Sequence, residues 1–218
     1  MIELHTHTFL SDGDLGPAEL LRRAEATGAR GVALTDHADF ASVDRVVPGL
    51  VAACESESRG GTLLAVPGAE VTHVRPGEIA ACVARARELG ARLVLVHGET
   101  LSEPVEVGTN RAGIEAGADV LAHPGLLSPE DARLAAERGV RLEISSRKGH
   151  CLANGHVAQV ARAAGAKLVF GSDAHAPGDL NTRESALRVL RGAGLDEAEA
   201  AEALAESAHL LEAKHGGT

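Results

Sequence analysis

Residues 90–97 read Gly90-Ala91-Arg92-Leu93-Val94-Leu95-Val96-His97. Four aliphatic residues in a row are too few for a helix. They lack the alternation of a half-exposed strand, so they suit a strand buried on both faces, as in parallel sheets. The glycine before them fits the left-handed residue that ends a helix. The histidine falls where the strand leaves the core. The punctuation Gly-Ala-(Arg/Asp/Lys)-x-(Val/Leu) recurs at Gly28, Gly117 and Gly165. Helix, glycine, strand is therefore a repeated unit of this chain.

Outward from that unit, strands are expected at Ile2 to His5, Gly31 to Thr35, Thr62 to Val66 (running on to Glu70), Arg92 to Val96, Asp119 to Ala122, Arg141 to Ile144 and Lys167 to Phe170. Helices are expected at Leu15 to Ala26, Val43 to Ser58 with a break near Pro48, Pro76 to Leu89, Val107 to Ala116, Ser128 to Arg138 and Gly155 to Ala164. Thr182 to Lys214 reads as helical throughout. Gly16-Pro17 opens one helix, and Ser128-Pro129 is an N-cap followed by proline at the first helical position. Seven strand–helix units with apolar strands give the α/β class, with parallel strands inside and helices outside. No linker or low-complexity stretch interrupts them. One domain over residues 1–218 is expected, with a barrel over about 2–193 and a C-terminal helical segment over about 194–214.

The 218 residues are 44% apolar, with no Trp, no Tyr and three Phe. A core of small aliphatic side chains suits an α/β barrel, and the shortage of aromatics removes the usual platforms for stacking single-stranded nucleic acid. A net charge of -10 opposes binding to nucleic acid or to an anionic membrane. Cys54, Cys82 and Cys151 are odd in number and far apart, which reads as free thiols in a reducing compartment. The N-terminal residues carry no basic n-region and no long apolar h-region, and no apolar run approaches the ~18 residues of a membrane span. A cytoplasmic protein is expected; its oligomeric state is not legible.

The polar residues at strand ends carry the chemistry. His5 and His7 lie two apart, so an extended backbone turns both imidazoles to one side; alone, such a pair is commonly two surface histidines. Asp12 follows in a turn. Later strands end in His37, Glu70, His97, His123, and Asp173 with His175. In a parallel barrel all strand C-termini meet at one face. Six of the eleven histidines, joined by three carboxylates, thus converge on one pocket. Nine donors exceed the needs of one ion and serve two or three, with zinc, iron or manganese all compatible. Clustered ions activate water to hydroxide near neutral pH and clamp phosphoryl oxygens, which makes phosphoester hydrolysis the reaction expected of this set. Arg141 to His150 adds Arg147, Lys148 and His150 on the same face, candidates for contact with a substrate phosphate. The neighbouring Glu99, His73, Asn154 and His156 lack a decided role.

The segments H-T-H-T-F-L-S-D-G (5–13), A-L-T-D-H (33–37), G-A-E-V (68–71), L-V-H-G-E (95–99), L-A-H-P-G (121–125) and G-S-D-A-H (171–175) resemble the motifs of the polymerase and histidinol phosphatase (PHP) superfamily, in order and over residues 2–175. The resemblance implies a distorted (β/α)7 TIM-like barrel with two to three divalent ions. It implies that His5, His7, Glu70 and Asp173 hold a first metal. Glu70 would bridge to a second, held by His97 and His123, and Asp12, His37 and His175 would hold a third. His175 and Asp173 are also the catalytic candidates, and Asp36 is a candidate for orienting an imidazole. A phosphomonoesterase acting on a small metabolite, such as histidinol phosphate or a nucleotide-like compound, is the expected function. A nuclease or phosphodiesterase of the same superfamily is one alternative. The other is a non-catalytic module like the related protein subunits of ribonuclease P, which lack the metal set.

Overall fold

A computed structural model describes residues 1–216. The strands are β1 (Ile2–Glu3), β2 (Gly31–Leu34), β3 (His37–Ala38), β4 (Leu64–Val71), β5 (Leu93–His97), β6 (Val120–Ala122), β7 (Arg141–Ser145) and β8 (Leu168–Gly171). The helices are α1 (Pro17–Ala26), α2 (Val43–Ser58), α3 (Ile79–Glu88), α4 (Thr109–Glu115), α5 (Pro129–Arg138), α6 (Asn154–Ala164), α7 (Arg183–Gly192) and α8 (Glu197–Gly216). All pairings are parallel, in the order β1-β2-β4-β5-β6-β7-β8, with the two-residue β3 extending β2's line against the upper half of β4. Seven strands thus form a nearly closed barrel with helices around it.

Three expectations change. Pro48 does not break α2, which runs through it. The expected helix from Thr182 to Lys214 is two helices, separated at Gly194, whose positive φ ends the first. The third expected strand begins later and is longer, because residues 68–71 stay extended against β5. Among the described residues no helix is long and apolar enough to cross a membrane.

The period of two sorts the side chains. Leu93 and Leu95 point into the barrel while Val94 and Val96 pack outward. The interior is small and aliphatic, with Ile2, Leu4, Ala33, Val66, Val120, Ala122 and Val169 beside those leucines. The one buried aromatic, Phe170, belongs to the outer layer. At the N-terminal end of the strands α8 stops the barrel. Its Leu210 and Leu211 join the interior cluster, and Leu211 lies against Gly31, where any Cβ would strike it. Glu206 of α8 accepts from Arg141 Nε (3.0 Å) and from Lys167 Nζ (2.9 Å), tying the helix to the feet of β7 and β8.

Between β1 and β8 the ring closes by a short bridge. Thr6 pairs with Ala174, with His7 N–H donating to Ala174 O (2.8 Å) and Ala174 N–H to His5 O (3.3 Å). Glu3 seals the seam below. Its Oε1 accepts from Asn181 N–H at 3.1 Å, and burial pushes its carboxyl up to about 7.

Candidate metal centre

The inward positions of each strand lead to the C-terminal face. On β5 the inward set 93, 95 ends in His97; on β4 the parity of Val66 and Gly68 ends in Glu70. His123 follows the inward Ala122 and would point outward by alternation. Its backbone takes the left-handed region (φ 28°), which turns the ring inward. Asp173 is left-handed too (φ 53°). Non-glycine residues adopt such conformations at a cost, when surrounding structure imposes them.

All nine donors expected from the sequence meet at this face. Four overlapping groups bring ligand atoms within 4.8 Å of one another: His5, His7 and Glu70; His5, His123 and Asp173; His97, His123 and His150; and His7, Asp12, His37 and His175. Two carboxylates link them. Glu70 Oε2 lies 3.3 Å from His5 Nε2 and 2.8 Å from His37 Nδ1, while its Oε1 lies 3.3 Å from His123 Nε2. Asp173 Oδ1 is 3.2 Å from His7 Nε2 and its Oδ2 is 3.7 Å from His123 Nε2. Asp12 Oδ1 is 3.2 Å from His175 Nε2 and 3.6 Å from His37 Nε2. The third expected group therefore includes His7 as a neighbour. His150, expected as a phosphate contact, stands with His97 and His123, its ring stacked on that of His123 at 4.1 Å.

Orphaned polar atoms test whether these residues fit metal. His5 Nε2, both nitrogens of His7 and both oxygens of Glu70 are buried without a hydrogen-bond partner. Leaving such atoms unsatisfied costs about 1–3 kcal/mol each, and all of them aim into the centre. Ligand bonds of about 2.0–2.2 Å place neighbouring donors of a tetrahedral ion about 3.3–3.6 Å apart. The 3.2–3.3 Å separations above match that edge. The donor set fits divalent metal.

The charges agree. Burial opposes ionisation of Glu70, but His5, His37 and His97 outweigh it and hold the carboxyl well below its ordinary range. Asp173 is held down in the same way by His5 and His7. Burial pushes His7 down to about 3 and His150 to about 4, leaving both neutral. Burial also lowers His5, but Glu143, Glu70 and Asp173 overcome it, and the net direction is up. His37 and His123 are raised against burial too, chiefly by Glu70.

Residues around the centre hold it in place. Glu143, inward on β7 and 1% exposed, accepts from His5 Nδ1 (2.8 Å) and from His123 N–H (3.0 Å). Gly171 leaves room for it, since a Cβ there would strike Glu143 Oε1. Asp36 does not orient an imidazole. Its Oδ1 accepts from the backbone N–H groups of Thr8 (2.9 Å) and Ser11 (3.0 Å) and from Ser11 Oγ (2.7 Å), which fixes the loop carrying His7 and Asp12. Glu99 Oε1 accepts from Gly108 and Asn110 N–H at the start of α4. Asn154 pairs with the backbone of Ser145, and His156 Nε2 lies 2.8 Å from Leu127 O. His73 stands at the rim, 3.4 Å from Glu103.

Arg147 lies at the edge, with NH1 donating to Asp173 O at 3.3 Å and Nε 3.8 Å from Asp173 Oδ2. It lines an open cavity with Ser146, Lys148, Ser172, Asp179 and Asn181. Lys148 is exposed on the same loop.

Neither Glu143 nor Glu103 was assigned a role from the sequence. For Glu143 there was a signal: an acid at an inward position of a buried strand. Glu103, in a polar loop, carried none.

Fold and centre together are a TIM-like α/β barrel whose C-terminal face gathers a set of donors that fits divalent metal. The chain belongs to the family of the uncharacterized protein MJ1295 of Methanocaldococcus jannaschii, to which it is 43% identical over 199 residues, covering 90% of this chain and 91% of that one. No family model matches. Among solved structures it resembles a chain of archaeal ribonuclease P solved with mature tRNA (TM-score 0.72, 17% identity, 98% of this chain and 91% of the other). It also resembles an amidohydrolase (0.65, 15%, 98% and 74%). A third is the putative histidinol phosphatase hisK of Listeria monocytogenes (0.60, 13%, 83% and 97%). At these identities the likeness is one of fold.

Proposed function

We propose that this protein is a metal-dependent phosphoesterase of the PHP kind, hydrolysing a phosphomonoester of a small metabolite such as histidinol phosphate or a nucleotide-like compound. One observation carries the reading: Glu70 and Asp173 each turn their two oxygens toward different imidazole groups, so adjacent ions would share them, with a guanidinium at the edge. His5, His7, Glu70 and Asp173 would hold one ion, Glu70, His97, His123 and His150 a second, and Asp12, His37 and His175 would serve a third. Zinc, iron and manganese all suit the donors. Bound ions would supply hydroxide near neutral pH and draw charge from the phosphoryl oxygens. Arg147 would pair with a phosphate oxygen, its fork suited to that geometry. Lys148 would add a second cation on the approach. Glu143 keeps the His5 lone pair directed inward. With no ion at the third position, His175, 12% exposed and beside Asp12, is the candidate to hold the proton that the leaving oxygen receives.

The ribonuclease P likeness favours a second reading, a non-catalytic binding module. A net charge of -10 argues against an RNA surface. The amidohydrolase likeness would lead to amide hydrolysis. Among the described residues no lysine reaches the centre to serve as a bridging carbamate; Lys167 lies at the opposite end, against α8.

The test is metal content of protein purified without chelator together with p-nitrophenyl phosphate hydrolysis, for wild type and His97→Ala. Two to three equivalents of metal, with turnover lost in the variant, are expected. No metal and no turnover after adding Zn, Fe or Mn would overturn the reading.

A further inference from the structure

The second donor group has a neighbour that neither the motif resemblance nor the grouping above includes. Glu103 lies in the irregular segment between His97 and α4. Its Oε2 is 3.2 Å from His97 Nε2, and its Oε1 is 3.4 Å from His150 Nε2. These are the separations found among the other donors of the centre, close to the ~3.3–3.6 Å edge of a tetrahedral ion. Both contacts run to Nε2, and His150 Nε2 also lies 3.8 Å from Asp173 Oδ2 of the centre. The other nitrogens are engaged elsewhere: His97 Nδ1 lies 3.2 Å from Gly98 O, and His150 Nδ1 lies 2.6 Å from Thr100 Oγ1.

Glu103 differs from its partners in access. Its side chain is 38% exposed, against 2% for His97 and 6% for His150. It approaches from the solvent side, where a hydrolytic centre keeps a position for water and substrate. Its carboxylate oxygens accept no backbone N–H among the described residues, unlike Glu99 four residues earlier, which is fixed at the start of α4.

We infer that Glu103 is a displaceable metal ligand, completing the coordination of the ion held by His97, His123 and His150 and standing where a phosphoryl oxygen enters. The inference rests on the metal centre proposed above. With Glu70 the group offers five donors, one more than a tetrahedral ion takes, so an entering phosphoryl oxygen would take the place of one of them. Glu103 is the one on a loop and in reach of water.

The experiment is calorimetric titration of metal-free protein with Zn(II) or Mn(II), comparing wild type, Glu103→Gln, Glu103→Ala and His97→Ala, followed by titration of the loaded proteins with inorganic phosphate. Loss of an outer partner of a metal site costs roughly 10–100-fold in affinity, and a ligand should cost no less. Glu103→Gln is expected to weaken one ion by at least about tenfold, the same ion that His97→Ala loses, while Glu103→Ala binds phosphate more tightly than wild type. Wild-type metal affinity in Glu103→Gln, with the ion lost in His97→Ala, overturns the ligand and leaves the centre standing. Equal or weaker phosphate binding by Glu103→Ala overturns displacement. A wild type that takes up no metal removes the centre itself, which separates that failure from this one.

Discussion

Replacing Glu143 with glutamine changes one atom and should cost the centre an ion. The two carboxyl oxygens accept one bond each, from His5 Nδ1–H and from His123 N–H. That arrangement keeps a proton on His5 Nδ1, so the proton that a metal displaces is the one on Nε2, which faces Glu70 and Asp173. Glutamine has a single acceptor oxygen. If that oxygen faces His123 N–H, the amide NH2 faces His5 Nδ1, which must then accept, and the proton moves to Nε2 where a metal would bind. If the amide is flipped, two donors meet at His123 and the buried N–H is unpaired. Either outcome weakens the ion at His5. Outer partners of metal-bound histidines are worth roughly 10–100-fold in affinity, or about 1.4–2.8 kcal/mol. Competition with a chromophoric chelator measures it directly, and circular dichroism of the metal-free variant verifies the fold. Wild-type affinity and stoichiometry in a folded Glu143→Gln would refute the argument. Gly171→Ala is the companion variant. Its methyl group strikes the same carboxylate with the charge intact, so loss of metal there but not in Glu143→Gln would make the role one of shape and not of proton placement.

Three further outcomes are expected. Carboxylates raise the pKa of His5, His37 and His123 in the metal-free protein. Metal must displace those protons, so its affinity falls with falling pH and proton release appears in calorimetry across buffers of different ionisation enthalpy. Leu211→Ala, which empties the foot of the barrel, should destabilise by about 2–5 kcal/mol, read as a lowered midpoint in urea with unchanged metal content per folded molecule. For Glu206 the carboxyl lies below its ordinary value: burial opposes this, but Lys167 and Arg141 outweigh it. A depressed carboxylate adds stability above its unfolded value and loses it as pH falls through the folded one. Glu206→Gln should therefore destabilise by about 1 kcal/mol at pH 7, and the gap to wild type should close in acid; a gap independent of pH would contradict the ion pairs.

The barrel was legible because its rules are local. Buried parallel strands need unbroken aliphatic runs, and Gly90, Gly117 and Gly165 end helices where only a left-handed residue fits. The nine donors were legible because strand ends in this topology share one face. What the sequence hid depends on distance in the fold. Glu143 looked like an acid in a strand until its partners, 138 and 20 residues away, came beside it. His150 looked like part of a basic loop until its ring stacked on His123. Asp36 was misread because its neighbour in sequence is a histidine while its neighbours in space are the N–H groups of Thr8 and Ser11. The inward turns of His123 and Asp173 break the period of two, and nothing in a local pattern announces a positive φ at a histidine or an aspartate.

The bridge between Thr6 and Ala174 and the helix that stops the barrel set an order of events during synthesis. His5 and His7 leave the ribosome well before Asp173, which lies beside them in the fold, and Leu210 and Leu211 come later still. A nascent chain therefore carries two exposed imidazoles with no pocket around them, free to take up metal weakly and without selection. Selection among divalent ions by the completed donor set would come only after translation of α8, when the closed barrel meets the ions that the cell then holds free. The metal found in the purified protein should follow the growth medium of the expressing cell more closely than the affinity order measured on the folded protein.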